Sequence, residues 1–283
     1  MTMKHIPVLL DAVLNALGDV GGKTIVDCTF GAGGYSRAFL ERGANVIAFD
    51  RDPNVVADAE KIYAEYGDRF TFVPKPFSHI ADLDLVVDAI VFDLGISSMQ
   101  IDVPERGFSF RSNAPLDMRM SESGIDAVKW IEMHSVSELA NVLRTYGDLK
   151  KSNILARAIK EAVPKTTFEL RDLIHNPKDV APVFQALRIA VNDEMGELER
   201  ALTAVPDLLG VGGKCVCVTF HSLEDRIVKN TFRRWATAPG DPHLPTVAVA
   251  QFELMKPAVP TDAELANNSR ARSAHMRGVI KSC

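Results

Sequence analysis

The first hundred residues alternate short apolar runs with longer amphipathic stretches, and this alternation constrains the fold more than any other feature. The apolar runs are rich in β-branched and aromatic residues and have no polar face, which is typical of strands buried on both sides. They are Thr24–Phe30, Asn45–Asp50, Phe70–Pro74 and Asp88–Leu94. Between them, Tyr35–Arg42 and Pro53–Tyr66 have helical periodicity. Because parallel strands need helix-length crossovers, the pattern predicts an α/β chain with a parallel, doubly wound sheet.

The alternation stops after Leu94, and a loop with glycines and arginines leads into several short helical patterns. Two capping boxes support these helices, one at Ser135 with Glu138 and one at Thr166 with Glu169. We therefore predict a small, all-helical insert over residues 105–191. The remaining chain, 1–104 plus 192–283, would form one discontinuous domain.

The sequence then returns to the sheet. Apolar residues recur in steps of three and four from Phe184 to Val205, which predicts one core-facing helix. A glycine-rich break precedes Lys214–Phe220, a further strand, and an edge strand is predicted near Val247–Leu254. The last segment, Leu265–Cys283, is interpreted as a basic tail.

Composition limits the class of protein. The chain has 283 residues, 47% of them hydrophobic, and a net charge of −5, which argues against a protein that coats nucleic acid by bulk charge. There is no apolar run long enough to span a membrane and no leader pattern at the start, so we expect a cytoplasmic protein without a membrane partner. The four cysteines have neither metal-site spacing nor clustered histidines, which predicts buried free thiols and no metal. They are Cys28, Cys215, Cys217 and Cys283.

A glycine-rich turn, Asp27–Ser36, follows the first predicted strand. Gly31 and Gly33 would let the backbone approach a nucleotide-like cofactor, although Ser36 stands where a dinucleotide fingerprint has its third glycine. Asp50 ends the second strand about twenty residues later, where a carboxylate can accept hydrogen bonds from ribose hydroxyls. The turn therefore predicts an adenosine-containing cofactor.

Two further strand ends carry polar groups at the same predicted edge of the sheet. Asp93 ends an otherwise apolar strand, and Thr219–Arg226 is dense in groups that can carry protons. These residues are candidates for cofactor or substrate contacts. Two simpler interpretations stay open: Glu224 and Arg226 could form a solvated ion pair, and His221 could bind backbone.

Arginines occur beside phenylalanines in Glu105–Met120, which is typical of a nucleic-acid reader but also of core rings next to surface charges. The residues concerned are Arg106, Arg111, Arg119, Phe108 and Phe110. Two other segments are basic. His221–Trp235 has four arginines and lysines against two acids, and Leu265–Cys283 has four against none. Local binding of a polyanion is therefore predicted for an acidic protein.

Several long blocks of the sequence resemble the RsmH (MraW) family, which methylates N4 of a decoding-region cytidine in bacterial 16S ribosomal RNA. The blocks occur in the same order and span nearly the whole chain. They are His5–Leu9, Asp27–Ser36, Asp93–Ser98, Glu105–Phe110, Pro115–Met120, Phe184–Val191, Phe220–Lys229 and Ser269–Ser273. The resemblance implies a Rossmann-like class I methyltransferase sheet and S-adenosyl-L-methionine as cofactor.

The resemblance also implies positions for the cofactor contacts. Together with Gly31, they are Gly33, Gly34, Tyr35, Asp50, Phe77, Asp93 and Gln100. This chain departs from the family at Tyr35, where histidine is common, so we expect that contact to use backbone alone. It departs again at Asp179–Val183, where relatives have a Pro-Ala-Thr-Arg-Thr-like run, which puts an RNA contact of the insert in question.

For catalysis, we expect hydrogen-bond acceptors on the cytosine amine, from Asp93 or from backbone carbonyls of Leu94–Ser97. Since the resemblance favours a cofactor role for Asp93, the next candidates to position cytosine or take its proton are His221, Ser222 and Glu224. The expected RNA contacts are Arg106, Phe108, Arg119, Arg226, Arg270 and Arg272. The resemblance implies 16S rRNA within the small ribosomal subunit as substrate and is compatible with a homodimer.

Three other functions are compatible with parts of the sequence. A nicotinamide oxidoreductase would use the glycine turn and Asp50 but not Ser36. A noncatalytic ribosome-assembly binder would account for Tyr35 and the altered Asp179–Val183 run. A small-molecule methyltransferase would have little use for the C-terminal arginines.

Overall fold

The structure is a computed structural model that describes residues 7–121, 123–238 and 249–283, without the side chains at 98, 99, 269 and 270. The chain divides into two compact units. The sheet unit comprises Met1–Gly95 and Glu197–Cys283, and the helical unit comprises Ile96–Gly196. The predicted insert, 105–191, lies within the helical unit.

A seven-stranded sheet forms the centre of the sheet unit, in the order β3-β2-β1-β4-β5-β7-β6. Its strands are β1 Thr24–Asp27, β2 Asn45–Phe49, β3 Phe70–Val73, β4 Val87–Asp93, β5 Leu209–Thr219, β6 Phe252–Leu254 and β7 His275–Lys281. Strands β1 to β5 are parallel, and β7 is antiparallel to β5 and to β6. The order reverses between β1 and β4, so the prediction of a doubly wound sheet is confirmed.

The interpretation of the last segment as a basic tail was wrong, because its end forms β7. This strand pairs with β5 from His275 to Ile280 and buries Met276 and Val279. Its charged side chains are used within the sheet unit: Lys281 Nζ donates hydrogen bonds of 2.8 Å to the carbonyls of Pro206 and Leu209. The basic residues of this segment interrupt the apolar alternation from which a strand such as β7 would be predicted. Of the predicted edge strand Val247–Leu254, residues 252–254 form β6, while 247 and 248 lie outside the described residues.

The helices are numbered along the chain through both units. They are α1 Leu10–Leu17, α2 Gly34–Glu41, α3 Val56–Tyr66, α4 Ser98–Asp102, α5 Ala127–Met133, α6 Val136–Gly147, α7 Ser152–Ala162, α8 Thr167–Asp172, α9 Pro177–Asn192, α10 Glu194–Leu208, α11 Ser222–Trp235 and α12 Asp262–Asn267. The helix predicted from Phe184 to Val205 is two helices. Asp193 has a left-handed backbone, with φ of 49°, and so separates α9 from α10.

The core of the sheet unit lies between the sheet and two helices that follow the helical insert. Phe92 and Cys217 of the sheet are fully buried, as are Val205 of α10 and Phe232 of α11. The valine and phenylalanine side chains each contribute about 1.5–3 kcal/mol through burial. The predicted burial of free thiols is confirmed at Cys28, Cys215 and Cys217 but is wrong for Cys283, which is exposed.

The helical unit has its own core, which includes Trp130, Leu139, Leu143, Ile159 and Leu187. In the capping box at the start of α6, the side chains of both box residues bond the opposite backbone N–H, as predicted. The second box is only half formed. The Thr166 hydroxyl accepts the Glu169 N–H, but the Glu169 carboxylate accepts the N–H of Lys165 at 2.7 Å instead.

The divergent run Asp179–Val183 forms the beginning of α9. Asn176 caps this helix, its side chain accepting the N–H of Lys178. Val180 and Val183 are buried in the helical unit. The two valines of this run therefore pack in the core, while Ala181 is exposed. In the part of the chain that the structure describes, no helix combines the length and apolarity that crossing a membrane requires.

Candidate active site

Acidic side chains meet at the carboxyl edge of the parallel strands in the sheet unit. Asp27 ends β1, Asp50 follows β2 and Asp93 ends β4, while Glu224 lies in the first turn of α11, just after β5. Asp93 experiences the charges of Asp27 and Glu224, and Asp27 that of Asp50. Ligands of doubly wound sheets bind at this edge, outside the strand ends.

Asp50 connects the glycine turn to the end of β2. One carboxylate oxygen accepts the N–H of Gly31 at 2.8 Å, and the other accepts that of Asp52 at 2.9 Å. Burial raises the pKa of Asp50 above its ordinary value. Each oxygen keeps a lone pair, so the side chain can still accept bonds from two ribose hydroxyls.

The three predicted glycines of the turn have different structural roles. Gly31 has φ of 52°, and a Cβ there would meet no atom closer than 4.0 Å, which leaves room for a ligand against the backbone. At Gly33 a Cβ would lie 2.5 Å from Ile62 Cδ1, and at Gly34 it would overlap the Pro7 ring. Gly33 and Gly34 are therefore required by packing within the protein.

Asp27 holds the glycine turn through two hydrogen bonds, a role that was not predicted from the sequence. It is fully buried and accepts hydrogen bonds from the Ser36 hydroxyl at 2.6 Å and the Thr29 N–H at 3.2 Å. Burial raises its pKa to about 6. The sequence does contain a pattern that indicates such a role, because Asp27 is a carboxylate at the end of an apolar strand, like Asp93.

Asp93 carries an orphaned polar atom of the site. Its Oδ1 is buried and has no hydrogen-bond partner among the residues that the structure describes, while its backbone N–H donates to the Thr29 hydroxyl at 2.7 Å. Burial, and then the charges of Asp27 and Glu224, raise the pKa of Asp93 well above its ordinary value. A buried carboxylate without a partner is costly, so a ligand that donates hydrogen bonds or carries positive charge would be bound here.

The other predicted cofactor residues have internal contacts. The Tyr35 side chain is buried and its hydroxyl donates to the carbonyl of Val8, so only its backbone is left for a ligand. Phe77 packs edge-on against Phe92, with ring centroids 5.7 Å apart. Gln100 belongs to the helical unit, where its Oε1 accepts the N–H of Ser97 at 3.1 Å.

The candidates for proton transfer form the start of α11. Nδ1 of His221 accepts the Glu224 N–H at 3.4 Å, and Glu224 Oε2 accepts the N–H groups of Phe220 and His221 at 2.7 and 3.3 Å. The simpler interpretation of His221 is thus confirmed. The alternative interpretation, a solvated ion pair of Glu224 with Arg226, is wrong, because Glu224 is only 2% exposed and its carboxylate accepts backbone N–H groups. Ser222 is exposed at the first position of the helix.

In the helical unit, the predicted RNA contacts are engaged internally. Arg106 Nη2 donates to the carbonyls of Arg119 and Met120 at 2.9 and 3.0 Å, and Arg119 binds both oxygens of Asp117. Phe108 is only 8% exposed and belongs to the core. The structure does not support the predicted stacking of a base on Phe108, because packing covers the ring.

In the sheet unit, Arg226 and Arg272 are exposed, as an RNA contact requires. The side chain of Arg270 lies outside the part of the chain that the structure describes. Arg277, another cation of the same segment, is bound by both oxygens of Asp225 at 2.6 and 2.9 Å. This partner holds the pKa of Asp225 below its ordinary value.

Comparison with known proteins assigns this geometry to a family. A family model described as the MraW methylase family matches residues 2–282. The chain belongs to the MraW methylase family. The predicted class I methyltransferase fold and the family resemblance are therefore confirmed, and a nicotinamide oxidoreductase is excluded.

Relatives of this methylase are similar along almost the entire chain. A Ribosomal RNA small subunit methyltransferase H from Rhizobium leguminosarum bv. trifolii (strain WSM2304) is 46% identical over 99% of this chain and 88% of its own. A protein of the same name from Chelativorans sp. (strain BNC1) is 46% identical over 96% of this chain and 86% of its own. A solved rRNA methylase from Streptococcus thermophilus covers 100% of both chains at 12% identity, with a TM-score of 0.46.

The residues present fit S-adenosylmethionine, the methyl donor of class I methyltransferases. Gly31 offers open backbone, and Asp50 keeps acceptors for ribose hydroxyls. The carboxylates of Asp27, Asp50 and Asp93 give this edge a negative charge, which favours a cofactor with ammonium and sulfonium charges.

Proposed function

We propose that the protein transfers a methyl group from S-adenosylmethionine to the N4 amine of a specific cytidine in the decoding region of 16S ribosomal RNA. Its membership of the MraW methylase family carries the proposal. The names of its relatives support small-subunit ribosomal RNA as the substrate, and the RsmH-like motifs support the cytidine amine. Such an enzyme would work in the cytoplasm.

Geometry supplies much of the rate in this reaction. When bound, S-adenosylmethionine supplies an electrophilic methyl group that an amine attacks in line with the departing sulfur. Orienting the two reactants can lower the activation free energy by about 7–11 kcal/mol. The position of the reactants therefore matters more here than acid or base catalysis. The Asp27 and Asp50 contacts fix the glycine turn and hence the cofactor side of this arrangement.

The amine of cytosine is a poor nucleophile because its lone pair is delocalised into the ring. A hydrogen-bond acceptor on the amine N–H favours a pyramidal nitrogen and exposes that pair. We assign this role to the Oδ1 atom of Asp93, in place of the cofactor contact that the resemblance implied, because that atom is buried and unpartnered in the described structure. In its ionised form, this carboxylate can also receive the proton that the amine loses on methylation.

Glu224 is a weaker candidate for proton transfer, since both of its oxygens face the start of α11. His221 Nε2 lies 3.0 Å from Glu224 Oε1 but makes no hydrogen bond in the described structure. We therefore assign His221 and Glu224 to positioning the end of β5. The exposed Ser222 hydroxyl remains a candidate for contact with the base.

A cytidine inside folded RNA must leave its stack to reach this edge, which costs a few kcal/mol that contacts to the RNA backbone must offset. Arg226 and Arg272 are exposed and are proposed to contribute. The helical unit is proposed to recognise the RNA through surfaces other than Phe108, which is buried.

The test is to incubate the protein and radiolabelled S-adenosylmethionine with small ribosomal subunits from a strain that lacks the modification. Mass spectrometry then identifies the labelled nucleoside. We expect N4-methylcytidine from the wild type and at least about a hundredfold less from Asp93→Ala, because an acceptor for the amine is lost. The matched control is Asp84→Ala, which removes an exposed aspartate before β4 and should keep full activity.

Each contrary result favours a specific alternative. A different labelled nucleoside would reject the N4 target and keep the rRNA methyltransferase. Tight cofactor binding with no labelled RNA would favour a noncatalytic assembly factor or a small-molecule methyltransferase. Equal activity of Asp93→Ala and Asp84→Ala would remove Asp93 from the mechanism.

A further inference from the structure

Helix α11 carries a row of cations on one face, which we call the basic ridge and define as Arg226, Lys229 and Arg233. Residues three and four apart lie next to one another on a helix, so the three side chains follow one line. Ser222 lies on the same line, one turn earlier. At 1.5 Å per residue, successive cations are about 5 Å apart along the helix.

The ridge is not neutralised by its own helix. Arg226 and Arg233 are exposed and Lys229 is half-buried, and none of the three forms an ion pair or side-chain hydrogen bond within the described residues. The two acids of α11 are engaged elsewhere: Glu224 binds backbone N–H groups, and Asp225 is held by the guanidinium of Arg277. Lys229 acts on Asp225 only at longer range.

Helix stability does not explain the row. Arg233 lies in the last turn of α11, where the negative end of the helix favours a cation. Arg226 and Lys229 lie outside that turn and gain nothing from it. In a chain with a net charge of −5, three aligned cations without local partners indicate an anionic ligand.

The ridge begins at the candidate active site. Helix α11 starts directly after His221 at the carboxyl edge of the sheet, where Asp93 ends β4. From Ser222 to Arg233, α11 extends about 17 Å from that edge, and the basic ridge lies along it. A strand that presents a base at the edge would have its neighbouring nucleotides within reach of these side chains.

We propose that the basic ridge binds the sugar–phosphate backbone of the substrate RNA next to the methylated nucleotide. This inference rests on the proposed function for the identity of the RNA. Long, exposed cations in a regular row suit neighbouring phosphates, which position a nucleic acid without reading its sequence. An acidic protein would need matching carboxylates at the same spacing, whereas every RNA strand has regularly spaced phosphates.

The experiment measures binding of the full-length protein to deproteinised, unmodified 16S rRNA over a series of potassium chloride concentrations. The variant combines Arg226→Gln, Lys229→Gln and Arg233→Gln. Each single-strand phosphate contact contributes about 0.7 to the slope of log K against log salt, so three lost contacts should reduce the slope by about 2. We expect affinity at low salt to fall by more than about tenfold, with S-adenosylmethionine affinity unchanged by calorimetry.

Two matched variants test whether rRNA binding depends on the positive charge of the ridge and on the position of that charge in the sheet unit. Arg226→Lys with Arg233→Lys keeps the charge and should retain the wild-type slope. Lys23→Gln removes an exposed cation before β1, at the opposite edge of the sheet, and should also leave the slope unchanged. The melting temperature of each variant reports whether α11 still packs.

The proposal is overturned if the glutamine variant binds rRNA with the wild-type slope, a result that would leave an acidic protein as the ridge's ligand. It is equally overturned if the lysine variant loses as much binding as the glutamine variant. Failure of the proposed function has a different signature. A nucleoside other than N4-methylcytidine, together with ridge-dependent rRNA binding, would reject the target and keep the ridge.

Discussion

At the residue scale, three aspartates at one edge of the sheet have different roles because their hydrogen bonds differ. Asp27 is satisfied by Ser36 and Thr29, and Asp50 accepts two backbone N–H groups. Asp93 alone of the three has a buried oxygen without a partner in the described structure. The first two therefore hold the glycine turn, and the third has an oxygen that a ligand could bind.

The buried Asp27 gives a prediction for the pH dependence of stability. Its pKa is about 6 in the folded protein against 3.8 for an exposed carboxyl, so protonation favours the folded state. Its contribution is present below about pH 4 and is lost as the pH rises to about 6, an effect on the order of 3 kcal/mol. We expect Asp27→Asn to lose less free energy of unfolding over this interval than the wild type.

Urea unfolding at a series of pH values measures this difference. Asp84→Asn is the control, because that side chain is exposed and should follow the wild-type curve. Parallel curves for Asp27→Asn and the wild type would show that the buried carboxyl does not titrate in this interval.

At the element scale, Asn192 at the end of α9 fixes the loop that follows Leu116 in the helical unit. Its Oδ1 accepts the N–H of Met120 at 2.8 Å, and its Nδ2 donates to the carbonyls of Met118 and Arg188 at 2.7 and 2.9 Å. Met118 has a left-handed backbone with φ of 61° and is fully buried. The amide is thus a scaffold for an unusual buried turn.

We predict that Asn192→Ala lowers the free energy of unfolding by about 2–4 kcal/mol, because it leaves buried polar backbone groups unsatisfied. Asn153→Ala on α7 is the matched control, and this exposed change should stay within about 0.5 kcal/mol of the wild type. Chemical denaturation followed by circular dichroism measures both. Equal stability of the two variants would mean that water replaces the lost amide.

At the scale of the whole molecule, the helical unit has a separate core and its own hydrogen-bonded turn. Its buried residues form one cluster, and the Asn192 contacts and the ion pair of Arg188 with Glu194 close its end. The predicted insert stops at 191 and therefore omits both Asn192 and Glu194. The difference in stability between a fragment with the observed bounds and one with the predicted bounds can be measured.

We propose that the segment Ile96–Gly196 folds independently, and we predict a cooperative thermal transition with helical circular dichroism for this fragment. A fragment with the bounds 105–191 is the comparison and should be less stable by about 2–4 kcal/mol, since it lacks the Asn192 amide. If neither fragment is helical, the unit depends on the rest of the chain for folding.

The sequence by itself determined the parallel strands of the sheet, the glycine turn and the family. Strands buried on both sides and the glycine turn are local patterns, and the RsmH-like blocks are contiguous. It did not predict β7 or the break at Asp193, because pairing with β5 and a single left-handed residue override local charge and periodicity. Only the tertiary structure decided which polar side chains are occupied. Phe108, Arg119 and Glu224 have the residue types of a functional site, but core packing covers Phe108, the Asp117 carboxylate binds Arg119, and backbone N–H groups bind Glu224. The Oδ1 atom of Asp93, by contrast, is left unpartnered in the described structure.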